Sequence, residues 1–239
     1  MKLCDLTLGT PEENLACDEV LLDLCEAGGA DEMLRLWALP QYFVVLGYAN
    51  KAATEANLPF CQQFGIPVLR RCSGGGTVLQ GPGVLNYSLI LRMDDSGPCH
   101  TIPATNKFIL ERHRDALAAL VGAPVEWRGQ TDLAIGGLKF GGNAQRRKRR
   151  FLLFHGSFLL HLDISLVEKT LPLPARQPDY RFNRSHADFL INLNVPVHSL
   201  KAALAKTWQT TGVLEDIPFD PITQLARAKY SRDEWNLRF

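Results

Sequence analysis

Arg70-Arg71-Cys72-Ser73-Gly74-Gly75-Gly76-Thr77-Val78-Leu79-Gln80-Gly81-Pro82-Gly83-Val84-Leu85-Asn86-Tyr87 is the stretch that decides how the rest of the chain is read. Three glycines stand together, two arginines precede them, and apolar runs flank the whole. Ile66–Leu69 reads as a strand leading in, and Val84–Leu91 as a strand leading out. A loop without side chains lets a ligand lie on the backbone, and free N–H groups there can face an anion. Arg70 and Arg71 are placed to add charge-assisted contacts to carboxylate or phosphate. The alternative is a plain glycine hairpin with solvated arginines.

Composition narrows the choice. The 239 residues carry a formal net charge of +1, so no basic field argues for nucleic acid. No apolar run approaches the ~20 residues of a membrane helix. The opening Met1-Lys2-Leu3-Cys4-Asp5-Leu6 lacks the apolar core of a signal peptide. Cys4, Cys17, Cys25, Cys61, Cys72 and Cys99 show no Cys-x-x-Cys spacing. They read as reduced thiols of a cytoplasmic protein, and a zinc site is not expected. The length fits a single domain over 1–239.

Around the glycine stretch the elements punctuate themselves. Thr10-Pro11-Glu12-Glu13 starts a helix whose apolar face is Leu15, Val20, Leu22 and Cys25, and Gly28-Gly29 stops it. Leu34–Trp37 and Tyr42–Leu46 read as strands joined through Pro40. Asn50 and Glu55 fit a turn followed by a helix cap. Val84–Arg92 alternates, with Leu85, Tyr87, Leu89 and Leu91 on one face and Asn86, Ser88, Ile90 and Arg92 on the other. Asn86 and Ser88 would face the loop's ligand. A second helix is expected from about Thr105 to Val121, with Phe108, Ile109, Ala116 and Leu120 inward and Gly122 as its stop.

Thr131–Gln145 reads Thr-Asp-Leu-Ala-Ile-Gly-Gly-Leu-Lys-Phe-Gly-Gly-Asn-Ala-Gln. Asp132 opens a strand, Gly136-Gly137 turns the chain, and Lys139 sits on the return strand before Gly141-Gly142. The basic run Arg146-Arg147-Lys148-Arg149-Arg150 is either a solvated turn or a dock for an acidic partner. Phe151–Leu162 carries a strand-pair signal containing His155-Gly156-Ser157, where His155 is either a ligand contact or a buried structural histidine. Leu171–Arg184 reads as a mobile crossing loop, and Ser199 caps a helix to Thr210.

Taken together, these motifs resemble the lipoate–protein ligase A family, whose catalytic fold is shared with octanoyltransferases and biotin protein ligases. The resemblance rests on Arg70-Arg71-x-Ser73-Gly74-Gly75-Gly76 with Asn86-Tyr87-Ser88, on Asp132-Leu133 with Gly137-Leu138-Lys139 and Gly142-Asn143-Ala144-Gln145, on His155-Gly156-Ser157, on Asn14–Glu19, and on Lys229-Tyr230 with Trp235-Asn236. Ala49, Gln80 and Gly141 stand where the family usually has glutamine, histidine and serine. The fold it implies is α+β: a mixed, mostly antiparallel sheet flanked by helices, of the biotin/lipoate protein ligase (class II synthetase-like) type. No further C-terminal accessory domain is expected, and a separate accessory chain could replace it.

The activity it implies is activation of lipoic acid or octanoate with ATP, followed by transfer to a lysine of a lipoyl-carrier protein. That carrier is a glycine-cleavage H protein or a 2-oxoacid dehydrogenase E2. Lys139 is the implied catalytic residue. Arg70, Arg71, Ser73, Gly74, Gly75, Gly76, Asn86, Asp132, Gly142, Asn143, Ala144, His155 and Gly156 are the implied substrate and adenylate contacts. Asp132 or His155 positions the attacking amine. Mg²⁺ would arrive on the ATP phosphates, with no protein metal ligand expected. The runner-up is an ATP-independent transferase between carriers. Octanoyltransferases of this fold use a cysteine, yet Leu152 stands at one such position, no cysteine follows Cys99, and Cys72 matches neither type. Biotin ligation, whose Gly-Arg-Gly-Arg loop is absent, and a non-catalytic carrier- or lipoate-binding role complete the alternatives.

Overall fold

In the computed structural model, which describes residues 1–239, ten strands form two sheets. In chain order they are β1 (Lys2–Asp5), β2 (Met33–Trp37), β3 (Phe43–Leu46), β4 (Val68–Arg70), β5 (Val78–Gln80), β6 (Val84–Arg92), β7 (Glu126–Arg128), β8 (Asp132–Ile135), β9 (Leu138–Arg147) and β10 (Phe151–Leu159). The large sheet runs β1-β2-β6-β10-β9-β8-β7, and only the β1–β2 pairing is parallel. The small sheet runs β4-β3-β5. The expected α+β class with a mostly antiparallel sheet therefore holds.

Both faces of the large sheet are covered. Alternation on β6 sends Leu85, Tyr87, Leu89 and Leu91 into a core shared with Leu110, Leu117, Leu200 and Leu204. It sends Ile90 to the other face, with Cys17, Leu21, Leu153 and Ile222. The first core is closed by α-helices Ile102–Val121 and Val197–Thr207, the second by Pro11–Ala27 (α1) and Phe219–Leu225. The α1 face carries the site, because Ser88 and His155 share that side with Ile90 and Leu153.

Local signals explain most boundaries. Thr10 Oγ1 accepts the Glu13 N–H at 3.2 Å, Pro11 begins α1, and Gly28 ends it at φ +87°. Gly136 and Gly137, at φ +57° and +74°, make the β8–β9 turn that only such residues adopt without strain. Gly122 ends the 102–121 helix as expected.

Other expectations need correction. The strand before the glycines begins at Val68 rather than Ile66, since Pro67 has no N–H to enter a ladder. The glycine loop then joins β4 to β5 inside the small sheet and does not lead directly to Val84. The two strands joined through Pro40, Met33–Trp37 and Phe43–Leu46, fall in different sheets. The second helix starts at Ile102, because Thr101 caps it and Pro103 lies in its first turn. Its buried face is Thr105, Asn106, Ile109, Leu110, His113 and Leu117, so Phe108, Ala116 and Leu120 sit at the margin. The 197–207 helix starts after Pro196 with no side-chain cap from Ser199. Phe151–Leu159 is one strand, not a pair. Leu171–Arg184 is not a free loop. It forms a 3₁₀ turn at Asp179–Arg181 and is pinned through Tyr180 to Asp132 and through Arg184 to the Gly137 carbonyl.

Candidate active site

The glycine loop is held by its carbonyls. Arg71, buried between the strands, donates from Nη2 to the Gly74 and Gly76 oxygens and from Nη1 to Val45 O. Its Nε reaches Ser73 Oγ at 3.1 Å. The Tyr48 N–H takes Ser73 O, and Arg146 Nη1 takes Cys72 O. With these carbonyls occupied, the N–H groups of Gly74, Gly75 and Gly76 have no acceptor within the chain. A Cβ on Gly74 or Gly76 would meet nothing within 4 Å, so open space lies over the loop. Burial lowers the Arg71 pKa only to about 10, so its charge persists beneath the loop at neutral pH. Three outward donors over a buried cation favour an anionic partner. Gly75, at φ +86°, touches Gly47 so closely that a Cβ at position 47 would lie 2.0 Å from Gly75 O.

Arg70 and Arg71 depart from their expected role. Arg70 is fully buried, and its Nε, Nη1 and Nη2 all donate to backbone carbonyls of Gly47, Tyr48, Asn50, Trp235 and Asn236. Both arginines build the loop, and neither points a free guanidinium at a ligand. Asn50 likewise caps no helix. Its Nδ2 donates to Thr77 Oγ1 at 3.0 Å, and Thr77 donates to Glu55 at 2.9 Å.

Lys139 lies on β9. Its ammonium is 2.7 Å from Asp132 Oδ1, and the Tyr180 hydroxyl donates to Asp132 Oδ2 at 2.9 Å. Burial and the Asp132 charge hold that phenol protonated. Gly142 makes room for this lysine, since a Cβ there would be 2.9 Å from Nζ. Two residues along β9, roughly 7 Å, Ala144 packs against Gly75. The lysine and the glycine loop thus meet on one face. Asn143 and Gly156 do not join them. The Asn143 side chain turns to the opposite face, accepts from the Tyr87 hydroxyl and donates to Thr131 O, and Gly156 lacks the Cβ that would strike it. Both residues position β9 and β10 from behind.

His155 on β10 faces the loop. Its Nε2 is 2.5 Å from Ser73 Oγ, and its Nδ1 is 3.3 Å from Asp18 Oδ2. Asp18 on α1 also accepts from Ser88 and pairs with Arg35 at 2.6 Å. Burial pushes the Asp18 carboxyl up, but Arg35 and the hydrogen bonds from His155 and Ser88 outweigh it and hold the group ionised. Asn14 accepts the second Arg35 nitrogen. Asn86 is buried on the same side as Ser88. Asp18, Arg35 and Tyr180 were not singled out as site residues from the sequence. The available signal was Arg35 within an apolar strand, which needs a buried carboxylate, with Asp18 three residues after Leu15 on the inward face of α1.

The basic run is mostly engaged within the chain. Arg146 and Arg147 donate to loop carbonyls, Lys148 pairs with Asp23, and Arg150 bonds Glu26. The six cysteines are buried. Burial raises Cys72 to about 12, so it carries no thiolate at neutral pH.

A mixed, mostly antiparallel sheet flanked by helices, with a glycine loop and a lysine on one face, defines the biotin/lipoate ligase type of catalytic domain. Residues 10–217 match the model of the lipoyl protein ligase A/B catalytic domain, and the chain belongs to that family. It is 25% identical to an octanoyltransferase LipM of Brevibacillus brevis, over 96% of this chain and 95% of that protein. It is 26% identical to lipoate-protein ligase A subunit 1 of Thermoplasma acidophilum, over 97% and 94%. A crystal structure of lipoate-protein ligase A bound with ATP superposes with a TM-score of 0.81 at 25% identity, covering 99% of this chain and 98% of that one. No helix is long and apolar enough to cross a membrane.

Proposed function

We propose that the chain is a lipoate–protein ligase. It joins the carboxylate of lipoic acid or octanoate to the α-phosphorus of ATP, releasing pyrophosphate, and passes the acyl group to a lysine of a lipoyl-carrier domain. The observation that carries this reading is the pairing of acceptor-free N–H groups at Gly74–Gly76 with the Lys139 ammonium on one face. Charge grows on the phosphate oxygens as pyrophosphate leaves. Fixed backbone donors and a cation stabilise it, and removing one such donor costs on the order of 3–4 kcal/mol. Lys139 can exchange its Asp132 contact for phosphate, and Asp132 is then free to accept a proton from the carrier amine. The loop fits the ATP phosphates, and Mg²⁺ bound to those phosphates would offset their charge. Carrier partners are the lipoyl domain of a dehydrogenase E2 or a glycine-cleavage H protein. The name of the Thermoplasma relative, a subunit, supports a second accessory chain.

The test is lipoate-dependent exchange of labelled pyrophosphate into ATP. Exchange that disappears in Lys139→Ala supports adenylation. Absence of exchange in the folded wild-type protein, alone and with an accessory chain, removes it. A second reading, acyl transfer between carriers without ATP, is favoured by one observation, the Ser73–His155–Asp18 line.

A further inference from the structure

The direction of every hydrogen bond along that line follows from elementary chemistry. An arginine nitrogen has only hydrogens to give, so Ser73 Oγ accepts from Arg71 Nε at 3.1 Å. Asp18 is ionised and only accepts, from Arg35 on Oδ1 and from Ser88 on Oδ2. The His155 Nδ1, 3.3 Å from Asp18 Oδ2, therefore carries a proton, and in the neutral imidazole Nε2 keeps its lone pair. The Ser73 hydroxyl then donates to Nε2 across 2.5 Å. This is the polarity in which an imidazole removes a proton from a hydroxyl while a buried carboxylate fixes the ring. The loop contributes the remaining parts. The N–H groups of Gly74 and Gly75, next in sequence to Ser73, have no acceptor, and the space above Gly74 and Gly76 is open. Ser73 is itself buried, but of Ser73 and the neighbouring Cys72 it alone contacts His155, and burial pushes the Cys72 thiol up to about 12.

The geometry points to Ser73 as a covalent acyl acceptor, serving the ATP-independent transfer of the second reading, on which the choice of acyl donor rests. Ser73 Oγ attacks the carbonyl carbon of a medium-chain acyl thioester, and His155 Nε2 takes the hydroxyl proton. The C–S bond breaks, the departing sulfur receives that proton, and the acyl group remains on Ser73 as an oxygen ester. A carrier lysine amine then attacks the ester carbon. The C–O bond breaks, a proton from the amine returns to Ser73 Oγ through His155, and the amide product leaves. No redox partner and no nucleotide enters. Asp18 acts through His155 and is a positioning residue.

The experiment incubates the full chain with octanoyl pantetheine, without ATP or carrier, quenches in acid, and maps the product by peptide mass spectrometry. The expected result is one octanoyl group on the peptide carrying Ser73, removed by hydroxylamine and absent in Ser73→Ala. That variant deletes a single hydroxyl and keeps the carbonyl contacts of Arg71. His155→Gln should slow adduct formation by about 100-fold or more. No adduct on the wild-type protein, or an adduct that Ser73→Ala retains, overturns the proposal. Pyrophosphate exchange is measured on the same preparation. An adduct without exchange supports the serine and, where exchange is also absent with an accessory chain, removes the ligase reading, and exchange without an adduct overturns the serine and supports the ligase.

Discussion

Lys139 and His155 sit on neighbouring strands and face the same loop, yet they are held by opposite means. His155 is fixed through both ring nitrogens, and its anchor Asp18 pairs with Arg35 where the two side chains are 3% and 0% exposed. Lys139 has a single carboxylate partner and keeps 26% of its side chain exposed. A buried pair is expensive to break because each partner strands the other in a dry interior. The Lys139–Asp132 pair, 26% and 12% exposed, keeps solvent on the lysine side and is less tightly enclosed. The difference teaches what each half can do. The serine half is held in a fixed orientation, and the proposed exchange of Lys139 from Asp132 to a phosphate asks for the looser hold that the lysine half has.

Substitutions should separate the halves. The largest stability effect is expected from Asp18→Ala, which leaves the Arg35 guanidinium buried and unpaired. A loss of about 3–5 kcal/mol in urea unfolding is expected. A loss under about 1 kcal/mol would mean the buried half is not closed. Lys139→Ala should do the converse. Its acyl-transfer rate should fall about 100- to 1000-fold, with a stability loss smaller than that of Asp18→Ala, since Tyr180 still donates to Asp132. Wild-type turnover in folded Lys139→Ala would erase the distinction.

The third effect lies behind both halves. His113, fully buried and accepting from Trp208 Nε1, has its pKa lowered by burial to about 3. Below its ordinary value of 6.5 the unfolded chain binds a proton that the native state refuses. Stability is therefore full above that pH and falls by about 1.4 kcal/mol per unit as pH drops toward the folded value. His186, also lowered by burial, adds to the same trend. His113→Gln should flatten this slope between pH 6 and 4, read as unfolding midpoints across pH. An unchanged slope would move its origin to the site. Gly142→Ala places a Cβ 2.9 Å from Lys139 Nζ, the flexible end of a side chain. Turnover should drop about tenfold, 1.4 kcal/mol in barrier, with little change in stability. Tyr180→Phe removes one hydrogen bond to Asp132, worth about 1 kcal/mol. Its turnover should stay within roughly threefold of wild type, and a collapse would make the phenol part of the chemistry.

Much of this arrangement was legible in the residues. Thr10, Pro11 and Gly28 delimit α1, Gly136-Gly137 turns the hairpin that presents Lys139, and the alternation of Val84–Arg92 assigns both faces of β6. These signals act within a few residues of themselves. The intramolecular partners of Arg70 and Arg71 are hidden in the sequence, because an arginine beside glycines looks the same whether it faces a ligand or a carbonyl. Two of the Arg70 partners, Trp235 and Asn236, lie at the far end of the chain. The face of Asn143 is hidden for a related reason. Its motif says that it is needed, but only the sheet decides on which face. Asp18 and Arg35 answer each other across 17 residues, a pairing that only packing of α1 on the large sheet reveals.

The proposed ligase activity joins an acyl acid to ATP on this face and delivers it to a carrier. The most direct test is the mass of an apo lipoyl-carrier domain after incubation with the protein. One sample contains lipoic acid, ATP and Mg²⁺, the other an octanoyl-loaded carrier and no ATP. The expected result is lipoylation of the carrier in the first sample. Modification confined to the second would contradict it and leave a transferase in its place.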